Sequence, residues 1–249
     1  MHFQVLSLKE VKEEMAAQRT RLIGTRLALM GAALYFLEWL VIPFLPDVPT
    51  DQLGRGPQAI VDAYVGEGSL VAFAAGWFAV VLIGRVLYAI ALRDSLEASG
   101  YPSTSARFAV GAMTVSVAIE LVSFGAVAAG GWLAENQAGT DAIVALDAAG
   151  SIIFLLVFAL IGVSTLAASL AMFASGLFRN WVCWLGIFSG GLTIVGGIIE
   201  PVRAGATGTF QELGELPNAL GSLTFWVWIL VTSIILWRSA PTREPGSVS

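Results

Sequence analysis

Long runs of apolar residues recur six times along the chain and are separated by short polar segments. The runs cover residues 22–44, 70–92, 108–133, 143–173, 181–199 and 219–237. Each run has about the 20 residues that a helix needs to cross the hydrocarbon core of a bilayer. No alternation of apolar and polar positions competes with these runs, so a transmembrane barrel is not expected. The pattern predicts an all-α integral membrane bundle of six transmembrane helices.

The composition agrees with a lipid environment. Hydrophobic residues make up 57% of the chain and charged residues 12%, whereas a soluble domain has about 45–50% and about 25%. One cysteine, Cys183, excludes an internal disulfide. One histidine, His2, excludes a histidine-centred metal site and bis-histidine haem ligation. No lysine lies in an apolar run, which excludes a retinal Schiff base. We expect no cofactor, no metal and no nucleic-acid partner.

The positively charged residues predict the orientation. With both termini inside, only Arg55 and Arg203 fall on the outer face, as the positive-inside rule requires. We therefore expect a multi-pass protein of the bacterial inner membrane with cytoplasmic N- and C-termini. Residues 1–21 form a cytoplasmic amphipathic segment, and the capping box Ser7–Glu10 opens a short interfacial helix there. Residues 22–238 form the six-helix transmembrane domain, and residues 239–249 form a cytoplasmic tail.

Two longer outer loops, over residues 45–69 and 201–218, each predict a short helix. In the first loop, Gly56 and Pro57 precede residues 58–65, and proline suits the first position of a helix. In the second loop, residues 209–213 favour a short helix that ends at Gly214 or before Pro217. Each helix is interpreted either as a lid over a cavity or as an interfacial connection.

Four ionisable residues lie inside predicted spans. A charge there is energetically unfavourable, so each of these residues is a candidate functional residue. At a rise of 1.5 Å per residue, Arg85 lies roughly 11 Å and Glu120 roughly 18 Å above the inner boundary, with Glu38 and Asp147 near ~24 Å. An arginine side chain bridges most of the distance from Arg85 to Glu120. Glu120 and Glu38 are the candidate proton carriers. Shared helix faces add serines to the candidate ligand-binding set, which is Glu38, Arg85, Ser116, Glu120, Ser123, Asp147 and Ser151.

Structural interpretations of the same residues stay open. Arg85 can extend its guanidinium to the inner surface, and Asp147 is close enough to the outer boundary to be solvated. Glu120 can serve only to pair with Arg85, because buried ion pairs also fix helix register. The sequence alone does not decide whether the four charges meet.

Three features of the chain occur together: a long acidic first outer loop, Leu146-Asp147, and a turn over residues 174–181 that leads into Trp184-Leu185-Gly186. With these features, roughly residues 21–237 resemble a bacterial family of six-span membrane proteins of unknown function, common in actinobacteria. The family's proline before the fifth span and its histidine after Asp147 are absent here. The resemblance therefore implies the fold and no activity.

Three functions remain open at this point. The first is an outward-facing, carboxylate-lined pocket that binds or transports a small apolar or cationic molecule, in a protein that forms a homo-oligomer or joins a partner membrane subunit. The second is a membrane-embedded, acid-catalysed cyclase or isomerase of a prenyl-type lipid, with Glu120 or Glu38 as the proton donor. The third is an accessory or sensor subunit of a membrane complex.

Overall fold

Helices make up all the regular structure in the part of the chain that the structure, a computed structural model, describes. That part comprises residues 24–44, 56–203 and 209–238, without the side chains of residues 44, 201–203 and 209–215. Within these ranges no strand occurs, which confirms the all-α prediction for them. The predicted interfacial helix in residues 1–21 and the predicted tail over residues 239–249 lie outside the described residues.

Eight α-helices and two short 3-10 helices are described. Helix α1 is seen over residues 24–36 and continues into the two 3-10 helices Leu37–Leu40 and Ile42–Phe44. The other helices are α2 (Pro57–Tyr64), α3 (Gly68–Val81), α4 (Ile83–Ala98), α5 (Thr104–Glu135), α6 (Thr140–Ser175), α7 (Asn180–Arg203) and α8 (Thr209–Arg238).

Five stretches of the described residues are long and apolar enough to cross a membrane. They are Gly68–Ala98, which joins α3 and α4, and Thr104–Glu135, Thr140–Ser175, Asn180–Glu200 and Leu216–Arg238. Each contains or closely overlaps one of the last five predicted runs. Helix α1 with its 3-10 extension occupies the place of the first run. The apolar helices agree with a multi-pass membrane protein, and the count of six spans stays a prediction.

The first helix ends irregularly, because the chain leaves α-helical geometry at Leu37 and continues as 3-10 turns that include Pro43. A proline has no backbone N–H to donate to the residue four positions earlier, which disfavours an α-helix around Pro43. The Nε1 of Trp77 in α3 donates a hydrogen bond to the carbonyl oxygen of Leu37 at 3.0 Å. This contact holds the 3-10 turn that carries Glu38.

Glycines allow the closest helix contacts. A Cβ atom added at Gly190 of α7 would lie 2.7 Å from the carbonyl oxygen of Gly162 in α6, and a Cβ at Gly186 would collide with Ser169 and Trp228. The Gly186–Gly190 pair is thus used for packing within the chain. Helices α1 and α4 meet in the same way, because a Cβ at Gly31 would lie 2.7 Å from the backbone nitrogen of Tyr88.

The two predicted loop helices have different outcomes. Helix α2 begins at Pro57 after Gly56, as predicted. In the second loop the sequence predicts an end before Pro217, and this is wrong, because α8 continues through Pro217 from Thr209 to Arg238. A proline inside an apolar helix is tolerated where neighbouring groups and local adjustments satisfy the freed backbone.

We expect Gly190→Ala to destabilise the protein, because its methyl group must push α6 and α7 apart. Overpacking of this kind costs about 1–3 kcal/mol. Gly191→Ala is the matched control, since a Cβ at Gly191 meets nothing within 4 Å. Thermal unfolding in detergent measures both. Equal melting temperatures for the two variants would contradict the assigned helix contact.

Candidate functional site

An ion pair between α4 and α5 lies at the centre of the described bundle. Arg85 is 1% exposed and Glu120 is 4% exposed. The Nη2 of Arg85 donates a hydrogen bond to Oε2 of Glu120. The two buried charges stabilise each other, because either one without its partner in an apolar interior would be strongly destabilising. The guanidinium of Arg85 therefore stays buried inside the described bundle.

Tyr35 of α1 completes the surroundings of the guanidinium. The Cζ atom of Arg85 lies 5.2 Å from the centroid of the Tyr35 ring, which is a cation–π distance. The close approach of Gly31 and Gly84 brings α1 and α4 near enough for this contact. A Cβ added at Gly84 would lie 2.6 Å from the backbone nitrogen of Tyr35. The ring of Tyr35 is therefore placed by glycine packing.

A cavity of about 280 Å³ opens next to this ion pair. Its polar lining consists of Tyr35, Glu38, Arg85, Glu120, Thr193 and Ser222. Its aromatic lining consists of Trp39, Phe154, Phe158, Phe225 and Trp226. Ile42 and aliphatic side chains from α6 and α8 cover the remainder. A mainly apolar cavity with a few converging polar groups is the usual form of a small-molecule site.

Glu38 is the carboxylate with an unused oxygen in this cavity. Its Oε2 atom is buried and has no hydrogen-bond partner. Glu120, in contrast, is engaged by Arg85. Tyr35, Arg85 and Glu120 line the same cavity as Glu38. With both carboxyl groups ionised, the one guanidinium leaves one negative charge uncompensated.

Aromatic rings form the wall beside Glu38. The Trp226 ring stacks on Tyr35 with centroids 3.9 Å apart, and it meets the edge of Trp39 at 5.4 Å. Phe36 contacts the same indole at 4.7 Å. Trp39 lies near the end of the first predicted span, where tryptophans of the interfacial belt are usual, and its ring face also suits a cation. No sequence signal distinguishes Trp226 from its neighbours, because its role depends on the rotation of α8 about its axis.

The remaining predicted site residues lie outside the lining of this cavity. The hydroxyl of Ser116 donates to the carbonyl oxygen of Met113 at 2.8 Å, and Ser123 donates to that of Gly150 at 2.7 Å. Ser151 is buried in α6, one turn after Asp147. The structure therefore brings together Glu38, Arg85 and Glu120. A ligand-binding role for Ser116, Ser123, Asp147 and Ser151 stays a prediction.

Asp147 belongs to a separate contact with the short helix α2. The hydroxyl of Tyr64 donates a hydrogen bond to Oδ1 of Asp147 at 2.6 Å, and both residues are buried. Burial and the neighbouring carboxylate raise the pKa of Tyr64 far above its usual range, so that the phenol remains a neutral donor. This hydrogen bond fastens α2 to α6.

In residues 24–44, 56–203 and 209–238, no group of three or more histidine, cysteine, aspartate and glutamate side chains is arranged to hold a metal ion. No protein-family model, no curated protein and no solved structure matches the chain. The resemblance to the actinobacterial six-span family stays a prediction.

We expect Glu120→Gln and Arg85→Leu each to destabilise the protein by about 3–5 kcal/mol, because each leaves a buried charge without its partner. The double variant is expected to recover part of that loss. Unfolding in detergent measures the three variants in a thermodynamic cycle. The exposed pair Arg107–Glu97, with Nε and Oε1 3.0 Å apart, is the control and should contribute about 1 kcal/mol or less. Additive losses at Arg85 and Glu120 would contradict their coupling.

We expect Tyr64→Phe to loosen α2, because the variant removes a hydrogen bond to a buried carboxylate and costs about 1–3 kcal/mol. Hydrogen exchange over residues 57–64 should become faster than in the wild type. Tyr101→Phe is the control, since Tyr101 is half-buried between α4 and α5, away from Asp147. Unchanged exchange in α2 would show that its packing does not depend on this hydrogen bond.

Proposed function

We propose that this multi-pass membrane protein binds or transports a small apolar or cationic molecule in the cavity beside Glu38. One observation carries the proposal: a carboxylate oxygen without a hydrogen-bond partner lies in an apolar, aromatic-lined cavity. A buried polar atom normally has a partner, so an unsatisfied one needs an explanation. A ligand that contacts the Glu38 carboxylate supplies it.

The dimensions of the cavity support a small ligand. A volume of about 280 Å³ lies at the lower end of the ~300–1,000 Å³ that is usual for ligand pockets. The apolar wall supplies affinity through burial of apolar surface, and the carboxylate supplies orientation.

The position of the cavity along the bundle supports access from the outer side. Trp39 and Ile42 lie near the end of the first predicted span, and Ala219 lies near the beginning of the last, both on the predicted outer side. The Arg85–Glu120 pair forms the inner limit of the cavity. We propose an outward-facing pocket in the bacterial inner membrane, with both termini cytoplasmic. Because a six-span chain is small for a transporter, we further propose a homo-oligomer or a partner subunit.

A second candidate function follows from the ion pair itself. The contact between Arg85 and Glu120 accounts for both charges without any ligand, as expected in an accessory or sensor subunit whose buried charges fix helix register.

The acid-catalysed cyclase or isomerase needs a proton donor facing its substrate. Glu38, with its uncommitted oxygen and aromatic neighbours, suits that role better than Glu120.

We expect a discrete co-purified mass on the wild-type protein in native mass spectrometry from gentle detergent. Ser222→Phe should abolish it, because the larger side chain enters the cavity from α8. Ser222→Ala is the matched control and should retain the mass. Glu120→Gln removes the charge that pairs with Arg85 at the inner limit of the cavity, and it is measured in the same experiment.

Each result separates the candidate functions. A mass retained in Ser222→Phe, or no mass in any variant, would contradict the ligand pocket. A second protein bound equally to all variants would favour the accessory role. Conversion of a prenyl-type lipid that stops in Glu38→Gln would favour the enzyme.

A further inference from the structure

We infer that the ligand of this cavity is a small hydrophobic organic cation, a protonated amine or a quaternary ammonium, and that it competes with a proton for the Glu38 carboxylate. The inference rests on the proposed function and specifies the chemistry of its site. Three observations carry it: the charge of the lining, the aromatic wall and the uncommitted oxygen of Glu38.

The charge of the lining favours a cation. The ionisable groups that face Glu38 are Tyr35 on its own helical segment, Arg85 from α4 and Glu120 from α5. The described lining residues from α6, α7 and α8 carry no charge. Arg85 is already neutralised by Glu120. Glu38 therefore adds a negative charge that nothing else in the described lining compensates.

The guanidinium of Arg85 is poorly placed to attract an anion. Its Nε atom has no hydrogen-bond partner, but its Nη2 is bound to Glu120 and the Tyr35 ring lies over its Cζ atom. An anion in the cavity would meet two carboxylates for one guanidinium, and like charges in a low-dielectric interior repel strongly. The cavity thus discriminates against anions.

The aromatic wall favours an organic cation over a metal ion. The rings of Trp39, Phe154 and Trp226 line the cavity, and the faces of such rings attract cationic groups. Tryptophan is the most effective of these rings, and quaternary ammonium groups are commonly bound by aromatic cages. A metal ion would require several oxygen ligands, whereas a hydrophobic cation uses one carboxylate and apolar surface.

A proton and the cation compete for Glu38, because each of them neutralises the negative charge of the same carboxylate. When the cation binds, the O–H bond of a protonated Glu38 breaks, the carboxylate contacts the cation, and the proton leaves through the cavity mouth. One positive charge enters for each one that leaves. Acidification therefore displaces the cation, and this exchange would couple movement of the ligand to movement of a proton.

Binding of benzyltrimethylammonium to the full chain in detergent tests the inference, with its neutral carbon isostere neopentylbenzene as the comparison. Because the probe is a permanent cation, any pH dependence comes from the protein. Quenching of tryptophan fluorescence follows binding, since Trp39 and Trp226 line the cavity. We expect the cation to bind at least about tenfold more tightly than the isostere, because only the cation gains a charge-assisted contact with the Glu38 carboxylate. Its affinity should fall as the pH is lowered from about 8 to about 4, because glutamate carboxyl groups take up protons as the pH approaches about 4.

Two glutamate variants test whether Glu38 is the residue responsible for cation binding and its pH dependence. Glu38→Gln should lose about tenfold or more in affinity for the cation, keep its affinity for the isostere and bind without pH dependence. Glu97→Gln changes a glutamate at the C-terminal end of α4, outside the cavity lining, and should behave like the wild type. The wild-type pH profile needs no variant to fold, so the inference stays testable if Glu38→Gln is unstable.

The outcomes distinguish this inference from the proposed function. Equal binding of both probes without pH dependence, blocked by Ser222→Phe, would overturn the organic cation and leave the apolar ligand pocket. Failure of the wild type to bind either probe would also overturn the inference. If, in addition, no co-purified mass is lost in Ser222→Phe, the proposed function fails as well.

Discussion

The apolar interior around Arg85 constrains the remainder of the site. An arginine in the middle of an apolar bundle needs a counter-charge, and Glu120 on α5 supplies it. This requirement fixes how α4 and α5 rotate toward each other, because both side chains must point into the same interface. Gly31 and Gly84 then bring α1 close enough for Tyr35 to cover the guanidinium. The position of Glu38, one helical turn after Tyr35, follows from that contact.

The two carboxylates of the cavity have different roles because only one has a cationic partner. Glu120 is held by Arg85, so its charge belongs to the framework of the bundle. Glu38 lies on a 3-10 turn that Trp77 holds by a hydrogen bond, and it keeps an oxygen without a hydrogen-bond partner. A fixed ion pair thus lies beside a carboxylate with one unpaired oxygen. On this ground we propose Glu38, rather than Glu120, as the proton carrier.

Equal depth does not imply a shared site. Glu38 and Asp147 lie at a similar predicted depth, yet Asp147 accepts a hydrogen bond from Tyr64 of α2 and does not line the cavity. Two buried carboxylates in the same half of the bundle thus serve separate contacts. One faces an open volume between helices, and the other attaches a short surface helix. Helix rotation, which decides the difference, depends on side-chain packing over the whole length of a helix.

The amino-acid sequence alone predicts the helical class, five candidate membrane-crossing helices within a few residues and the start of α2 at Pro57, because helix length and proline preferences are local properties. It also identified Glu38, Arg85 and Glu120 as exceptional, since charge in an apolar run is costly wherever the helix faces. The folded structure was needed to establish that these three residues meet, that Asp147 does not join them, and that Trp226 forms part of the wall. It also decided that α8 continues through Pro217. These outcomes depend on contacts between segments far apart in the chain, which no local pattern encodes.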